Sequence, residues 1–542
     1  MPGGSRSTRR RVHLHPPRAE AQDERRDEPA WSPRGAALAP ERSAQHNAAV
    51  QLAELAARSG WLDRRAYVEH ERAWTHGECH RAVASSATLL AELGVREGDR
   101  VLIALHDRIG FVLAFLGAAH LGALAVPVNP RLGPKDYDFM VHDAVPRLVV
   151  CEEEIAVYFP GTPVLSASDL EREGPRQPPA PPAILGADAP LYGQYTSGTT
   201  GRPKLVVHRH SDLACHAAAV AHAALELTPE DVLYSVSRAY FSYGLGNTVF
   251  CALSTGASTA LQPELPTIDA VSELVARVRP SVMFAVPTFY AVLLADGDPE
   301  PFRSLRVAVS AGEALSPTLQ ARASSWLGVP ILDGLGSTEV GHLFIANTLR
   351  QRRAGSCGHV LPGYEISIRD LQDEEVPRGS VGSLWVRGPT LMAGYHNRPE
   401  ETARVLVDGW LRTGDRVAVD GDGFVHHCGR SDDLEMVGGI TISPLEIETL
   451  LVSHSAVAEV AVIAVTDAIG ASRLRAFVVP ASGCAGSPEL EAELTLLARE
   501  HLAAYKVPRS VRFVDKLPRT ATGKLQRHVL RAGWPQPSPS AA

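Results

Sequence analysis

Between Tyr195 and Lys204 the chain reads YTSGTTGRPK, and every residue but Pro203 is hydroxylated, basic or glycine. Gly198 and Gly201 let the backbone approach an anion closely and take up positive φ. Thr196, Ser197, Thr199 and Thr200 add hydroxyl donors, and Lys204 adds a compact positive charge. Such a segment suits a polyphosphate. Its spacing is not that of the G-x-x-x-x-G-K-S/T phosphate loop, because Lys204 follows Pro203 and no helix start is signalled there. A flexible Gly/Ser/Thr linker is the bland alternative on composition.

Four further segments carry candidate chemistry. Asp333-Gly-Leu-Gly-Ser-Thr-Glu339 is a glycine-rich turn ending in a carboxylate that could hold Mg²⁺. Thr413-Gly-Asp415 places a carboxylate on a tight turn, able to accept hydrogen bonds from a ribose diol. Gly429-Arg430 stands where the texture of the chain changes, and Thr522-Gly-Lys524 presents a lysine on a loop near the C-terminus. Taken singly each is weak, since a charged residue on a glycine turn is usually solvated.

The elements that must position these residues can be read coarsely. At 542 residues the chain exceeds one core, and about two to four domains are expected. From about residue 46 to 380, helix-period stretches such as HRAVASSATLLAELG alternate with β-rich runs such as DRVLIAL, ALAVPVN and SVMFAVP. That alternation implies an α/β fold of parallel-rich sheets covered by helices. After residue 380, short strands with glycine-rich turns (GSLWVRG, DGWLRTGDRVAVDGDGFVHHCGR) suggest antiparallel pairing in a small β-barrel-like part. From Arg430 the pattern is that of a compact α+β domain of about a hundred residues. The expected division is a tail at 1–45, a large domain at 46–429, a small domain at 430–533 and a second tail at 534–542.

Bulk composition excludes several classes. Lys and Arg number 53 against 61 Asp and Glu, a net charge of −8, so no basic field exists to hold nucleic acid. Seven cysteines without CxxC spacing read as free thiols of a reducing, cytoplasmic compartment. Residues 1–45 mix arginines with Glu20, Asp23, Glu24, Asp27 and Glu28 and have no apolar stretch, so they read as disordered and not as a leader. The longest apolar run, Phe111 to Val128, contains His120 and Pro127 and is expected to be a buried helix followed by a strand, not a membrane span.

Taken in order, YTSGTTGRPK, GSTE, TGD, GR and TGK resemble the adenylate-forming superfamily of acyl-CoA synthetases, adenylation domains and firefly luciferase, over roughly residues 46–533. The narrower likeness is to benzoate-CoA ligases and related aryl-CoA ligases. It rests on Phe241-Ser-Tyr-Gly-Leu-Gly-Asn247, Val286-Pro-Thr-Phe-Tyr290, Leu332 to Glu339 with His342, and Lys506-Val-Pro-Arg509. The resemblance implies a two-step reaction in which a carboxylate attacks the α-phosphate of ATP and a thiol then displaces AMP.

Carried over by position, Thr196, Ser197, Gly198, Thr199, Thr200, Gly201 and Lys204 would hold the β- and γ-phosphates. Thr338 would contact the α-phosphate and Glu339 would bind Mg²⁺. Gly312, Glu313, Asp333 and Gly334 would flank the adenine, while Asp415 and Arg430 would take the ribose hydroxyls. Lys524 would bridge the acyl carboxylate and the α-phosphate. The small domain would pivot at Asp432 and bring Gly438 and Gly439 beside the thiol tunnel.

Phe241, Ser242, Tyr243, Gly244, Phe289, Leu335 and His342 would line a flat, mostly apolar slot for a planar ring. The aspartate of amino-acid activators and the asparagine of catechol-acid activators are absent from 240–244. Benzoate or a substituted benzoate is the expected acid. CoA, or the phosphopantetheine of an acyl carrier protein, is the expected thiol. Two departures stand out: Leu205 replaces the glycine usual after the loop lysine, and Met436 stands where relatives commonly carry a lysine that serves the second step. The second leaves the acceptor open, and it motivates a third reading, a non-catalytic nucleotide-binding relative. A homodimer is compatible with all three readings. His76, Cys79 and His80, and His426, His427 and Cys428, have metal-like spacings but read as helix packing and as alternate faces of a strand.

Overall fold

The alternation of helical and β-rich runs becomes two parallel-rich sheets with helices packed between and around them. The computed structural model describes residues 46–196, 203–431, 433–437, 440–466, 472–519 and 525–531. A nine-stranded sheet has a parallel centre that runs, in spatial order, through Ile331–Gly336, Val307–Ser310, Val282–Ala285, Val232–Ser235, Ser258–Leu261 and Arg65–Glu69. A seven-stranded sheet centres on Pro190–Thr196, Leu124–Pro127, Arg100–Ala104 and Leu148–Cys151, all parallel. Their near-continuous runs of Val, Leu, Ile and Ala follow from burial on both faces.

Helix Ile109–His120 is buried along its whole length, and strand Leu124–Pro127 follows it. The apolar run at 111–128 is therefore core, as its interruptions implied. Its cluster contains Tyr67 from the nine-stranded sheet and Val101 and Leu191 from the seven-stranded one, so the helix lies between the two. Helix His76–Glu92 packs beside it and is started by Thr75, whose hydroxyl accepts from the Glu78 amide while the Glu78 carboxylate accepts from the Thr75 amide. Among the described residues no helix is long and apolar enough to cross a membrane.

The β part after residue 360 is an antiparallel sheet of five strands. Glu365–Arg369, Gly382–Arg387, Trp410–Val419 and Leu406–Val407 follow in order, and Val425–Arg430 also pairs with Trp410–Val419. The small C-terminal domain is built on strands Val457–Thr466, Ser472–Pro480 and Ser510–Phe513, covered by helices Pro444–Leu451 and Pro488–His501. The glycine replaced at position 205 has a local consequence. Leu205 is fully buried and occupies the space left by Gly193, where a Cβ would come within 2.9 Å of its Cδ1.

Candidate functional site

All strands of a parallel sheet point the same way, so the chain leaving their C-terminal ends converges on one edge, where open α/β sheets bind ligands. Four neighbouring strands supply the expected residues here. Phe241 to Gly244 follow Val232–Ser235, and Phe289 sits on helix Pro287–Asp296 after Val282–Ala285. Gly312 and Glu313 follow Val307–Ser310. Asp333, Gly334 and Leu335 lie on Ile331–Gly336, with Thr338, Glu339 and His342 on the turn beyond it. Gly312 has φ +89°, which lets the chain turn sharply after its strand.

The two flanks of the segment 195–204 pair with each other. Strand Pro190–Thr196 pairs antiparallel with Lys204–Arg209, and Thr196 stands opposite Lys204. The chain thus enters a strand after the loop and not a helix, in keeping with its departure from the G-x-x-x-x-G-K-S/T spacing. Ser197, Gly198, Thr199, Thr200 and Gly201 lie outside the described residues, as do Asp432, Gly438, Gly439 and Lys524.

Lys204 reaches the Glu339 turn through one aromatic ring. Its ammonium lies 4.9 Å from the Tyr395 ring centroid and pairs with Glu401 at 2.9 Å. The Tyr395 hydroxyl donates to Glu339 Oε1 at 3.0 Å, and the Met392 amide donates to the Glu339 carbonyl at 2.8 Å. Burial, and next the Glu339 charge, raise the Tyr395 pKa, so the hydroxyl keeps its proton for that bond. Tyr395 is in place because Gly394–Tyr395 adds an edge strand to Lys204–Arg209.

A second tie runs underneath. His208 Nε2 lies 2.7 Å from the Thr338 carbonyl and its Nδ1 lies 3.0 Å from Asp212 Oδ2, with both side chains fully buried. A carbonyl only accepts, so Nε2 carries a proton and donates to it. The strand bearing Lys204 therefore holds the Ser-Thr-Glu turn from two sides.

On the expected adenine side, Asp333 is buried and its Oδ1 meets no donor among the described residues. Burial pushes its pKa well above the usual carboxylate range. A buried acceptor without a donor is rare in native proteins and suits a ligand N–H. Glu313 Oε2 accepts from both the amide and the hydroxyl of Thr288, at 3.1 and 2.6 Å.

Asp415 lies opposite Arg430 across two strands, and its Oδ1 is 3.1 Å from Arg430 Nη1 and 3.3 Å from His427 Nε2. Burial opposes its ionisation, yet the His427 hydrogen bond and the Arg430 charge outweigh burial and hold its pKa below the ordinary value. Burial, and next the Asp333 charge, push the Cys357 thiol up, and the Asp415 charge adds to this.

The pocket segment folds as a wall of rings. The Tyr243 hydroxyl donates to the Val309 carbonyl at 3.3 Å, and its ring meets Phe284 edge-on and His342 at 5.7 Å. Phe241, Phe289 and Leu335 are half-buried against the surrounding apolar clusters. Gly246 makes room for His342, because a Cβ there would come within 2.0 Å of its Cδ2. His342 is buried, donates from Nε2 to Asn247 Oδ1 at 3.1 Å, and is pushed down to about 4 by burial. It is therefore neutral at ordinary pH.

Of the metal-like spacings, His76 and His80 are buried in the helix core. His426 pairs with Asp420 at 2.8 Å, whereas His427 turns to Asp415 and so joins the site. Sequence reading missed His427, Tyr395, Glu401, His208 and Asp212 as site residues. Alternation along Val425–Arg430 puts His427 on a different face from His426, but only pairing with Trp410–Val419 shows that this face is that of Asp415.

The family model described as AMP-binding enzyme matches residues 53–396, and that of its C-terminal domain matches 446–524. A p-hydroxybenzoic acid–AMP ligase, FadD22, of Mycobacterium marinum is 44% identical over 493 residues, 90% of this chain and 69% of the relative. A 4-hydroxybenzoate–CoA/benzoate–CoA ligase of Rhodopseudomonas palustris is 36% identical over 90% of this chain and 94% of its own. The crystal structure of a benzoate CoA ligase from Burkholderia xenovorans superposes with a TM-score of 0.84 at 34% identity, covering 90% of this chain and 99% of that one. The anthranilate CoA ligase AuaEII in complex with anthranoyl-AMP gives 0.84 at 32% identity, over 89% and 96%. With both family models matched and 90% of its length aligned to such relatives, the chain belongs to the AMP-binding, adenylate-forming enzyme family.

Proposed function

We propose that this chain activates an aromatic carboxylic acid, benzoate or a substituted benzoate, with ATP and transfers the acyl group to the thiol of CoA. The observation that supports the reading is that Phe241, Tyr243, Phe289 and Leu335 follow or end neighbouring parallel strands of the nine-stranded sheet, on the same side as Asp333 and Glu339. A flat apolar slot takes the ring, and the polar end of the same edge takes the nucleotide.

In the first step a carboxylate oxygen attacks the α-phosphorus, the bond to the bridging oxygen breaks, and pyrophosphate leaves with the electron pair. The 196–204 segment and Lys204 would hold the leaving pyrophosphate, and Asp415 with Arg430 would hold the ribose. Thr338 would meet the α-phosphate. Lys524 would stand between the two anions that must meet. In the second step the thiol sulfur attacks the acyl carbon, AMP leaves, and the thiol proton departs. The small domain would turn about Asp432 between the steps, exchanging Lys524 for Gly438 and Gly439.

Mg²⁺, when bound, offsets phosphate charge. Its donor set fits: Tyr395 occupies only Oε1 of Glu339, and Mg²⁺ is commonly held by one or two carboxylates plus substrate phosphates. Tyr395→Phe removes a hydrogen bond to that carboxylate while keeping the ring under Lys204. We expect it to lower kcat/KM for MgATP about tenfold, the size of a charge-assisted hydrogen bond, and to shift the Mg²⁺ concentration dependence. An unchanged Mg²⁺ profile would count against Glu339 as the metal ligand.

A second reading keeps the first step and changes the acceptor to a carrier-protein phosphopantetheine. Met436 in place of the usual lysine favours it, and so does the relative named as an AMP ligase. A panel of aryl acids in ATP–pyrophosphate exchange tests the first step, and addition of CoA or a carrier protein tests the second. Exchange without CoA turnover selects the carrier. No exchange with any aryl acid leaves the non-catalytic reading, against which Lys524, Glu339 and Asp415 already speak.

A further inference from the structure

One guanidinium joins the two domains at the nucleotide side of the site. Arg519 Nη1 lies 3.6 Å from Glu313 Oε1, and its Nη2 lies 2.7 Å from Glu459 Oε2. Glu313 belongs to the large domain, on the turn after Val307–Ser310, and its other oxygen is bonded to Thr288 next to Phe289. Glu459 belongs to the small domain, on strand Val457–Thr466. The three side chains are only 29%, 25% and 35% exposed, so water screens the contact incompletely. The Arg519 backbone pairs with Leu525, and the Gln526 amide donates to the Pro518 carbonyl at 2.8 Å. The two flanks of the segment that carries Lys524 are thereby tied to each other beside Arg519.

Resting on the reading of Lys524 as the adenylation lysine, we infer that Arg519 is a positioning residue for the acid-activation step. Its ion pair with Glu313 docks the small domain against the turn that follows Val307–Ser310. Glu459 shares a domain with Arg519 and moves with it; Glu313 does not. The Glu459 contact therefore persists in any arrangement of the two domains, whereas the Glu313 contact opens when the small domain turns for the thiol step. Without the guanidinium, Glu313 and Glu459 face each other as like charges, and the docked arrangement is penalised specifically.

The test separates the half-reactions. Benzoate-dependent pyrophosphate exchange reads the first, and transfer from ready-made benzoyl-AMP to CoA, or to pantetheine where CoA is refused, reads the second. Arg519→Ala is expected to lower kcat for exchange roughly five- to tenfold, in line with a partly buried ion pair and the repulsion left behind, with KM for ATP unchanged. Transfer from benzoyl-AMP should stay at the wild-type rate or rise. Arg519→Lys should recover most of the exchange. Glu313→Gln should slow exchange as well, and the double variant should lose little more than either single one. Wild-type exchange in Arg519→Ala overturns the inference, as does equal slowing of both half-reactions with a lowered Tm. Wild-type protein that exchanges with no aryl acid overturns the function reading beneath it instead, so the two failures are distinguishable.

Discussion

Lys524→Ala should slow acyl-adenylate formation about 10²–10³-fold, the usual effect of deleting one preorganised transition-state contact, or about 3–4 kcal/mol. Two anions must approach within bonding distance, and a cation between them offsets a repulsion that grows as charge moves toward pyrophosphate. That contribution is largest in the transition state, so ATP affinity should change little. Transfer from supplied acyl-AMP should be nearly untouched, since the proposed scheme gives Lys524 no part in thiol attack. Pyrophosphate exchange at the wild-type rate would remove Lys524 from the mechanism. Parallel loss of both half-reactions would point to a folding defect. Arg527, close after Lys524, argues against such a defect. It forms a bidentate, buried pair with Glu448, at 2.6 and 3.0 Å, that secures the chain downstream of the substitution.

The protein should also lose stability steeply in mild acid. His80, His210 and His342 are buried and each is pushed from the ordinary 6.5 down to about 4, first of all by burial. As pH falls below about 6.5 the unfolded chain takes up protons that these native imidazoles refuse. Unfolding is therefore favoured progressively until about pH 4, and the stability is intact above about 6.5. Each group contributes about 3 kcal/mol over that window at 1.36 kcal/mol per unit, and three together compare with the roughly 5–15 kcal/mol that holds a domain folded. Thermal melts between pH 7 and 4.5 check this: Tm should fall steeply below about 6.5. Neither ring nitrogen of His80 has a hydrogen-bond partner among the described residues. His80→Leu should therefore flatten the acid limb without breaking a bond. A Tm independent of pH across that range would show that these imidazoles titrate normally.

Much of the site was legible because its residues come in short local motifs. Asp333 to Glu339, Thr413 to Asp415 and Gly429-Arg430 each combine a charge with a turn, and the turn is a local property of glycine and hydroxyl residues. The wall Phe241 to Gly244 was legible as aromatic and small residues in alternation. Partnerships were not legible. Tyr395 meets Glu339 and Lys204 because Gly394–Tyr395 adds to the edge of the strand carrying Lys204, and that pairing spans some 190 residues of chain. His427 looked like one member of a poor metal motif, yet the register of its strand brings it to Asp415. His342 was legible as a pocket residue from its place after Glu339, but the burial beside Tyr243 that keeps it neutral was not.

By itself the sequence determined the fold class, the strand and helix alternation, and the identity of the charged groups, because periodicity and turn chemistry act over a few residues. Only the tertiary structure decided which charges share a partner: Asp415 with His427 and Arg430, Glu339 with Tyr395, Glu313 with Arg519. The reason is physical. Ionisation and pairing depend on burial and on neighbours at a few ångströms, and those neighbours are brought together by sheet order, not by sequence distance.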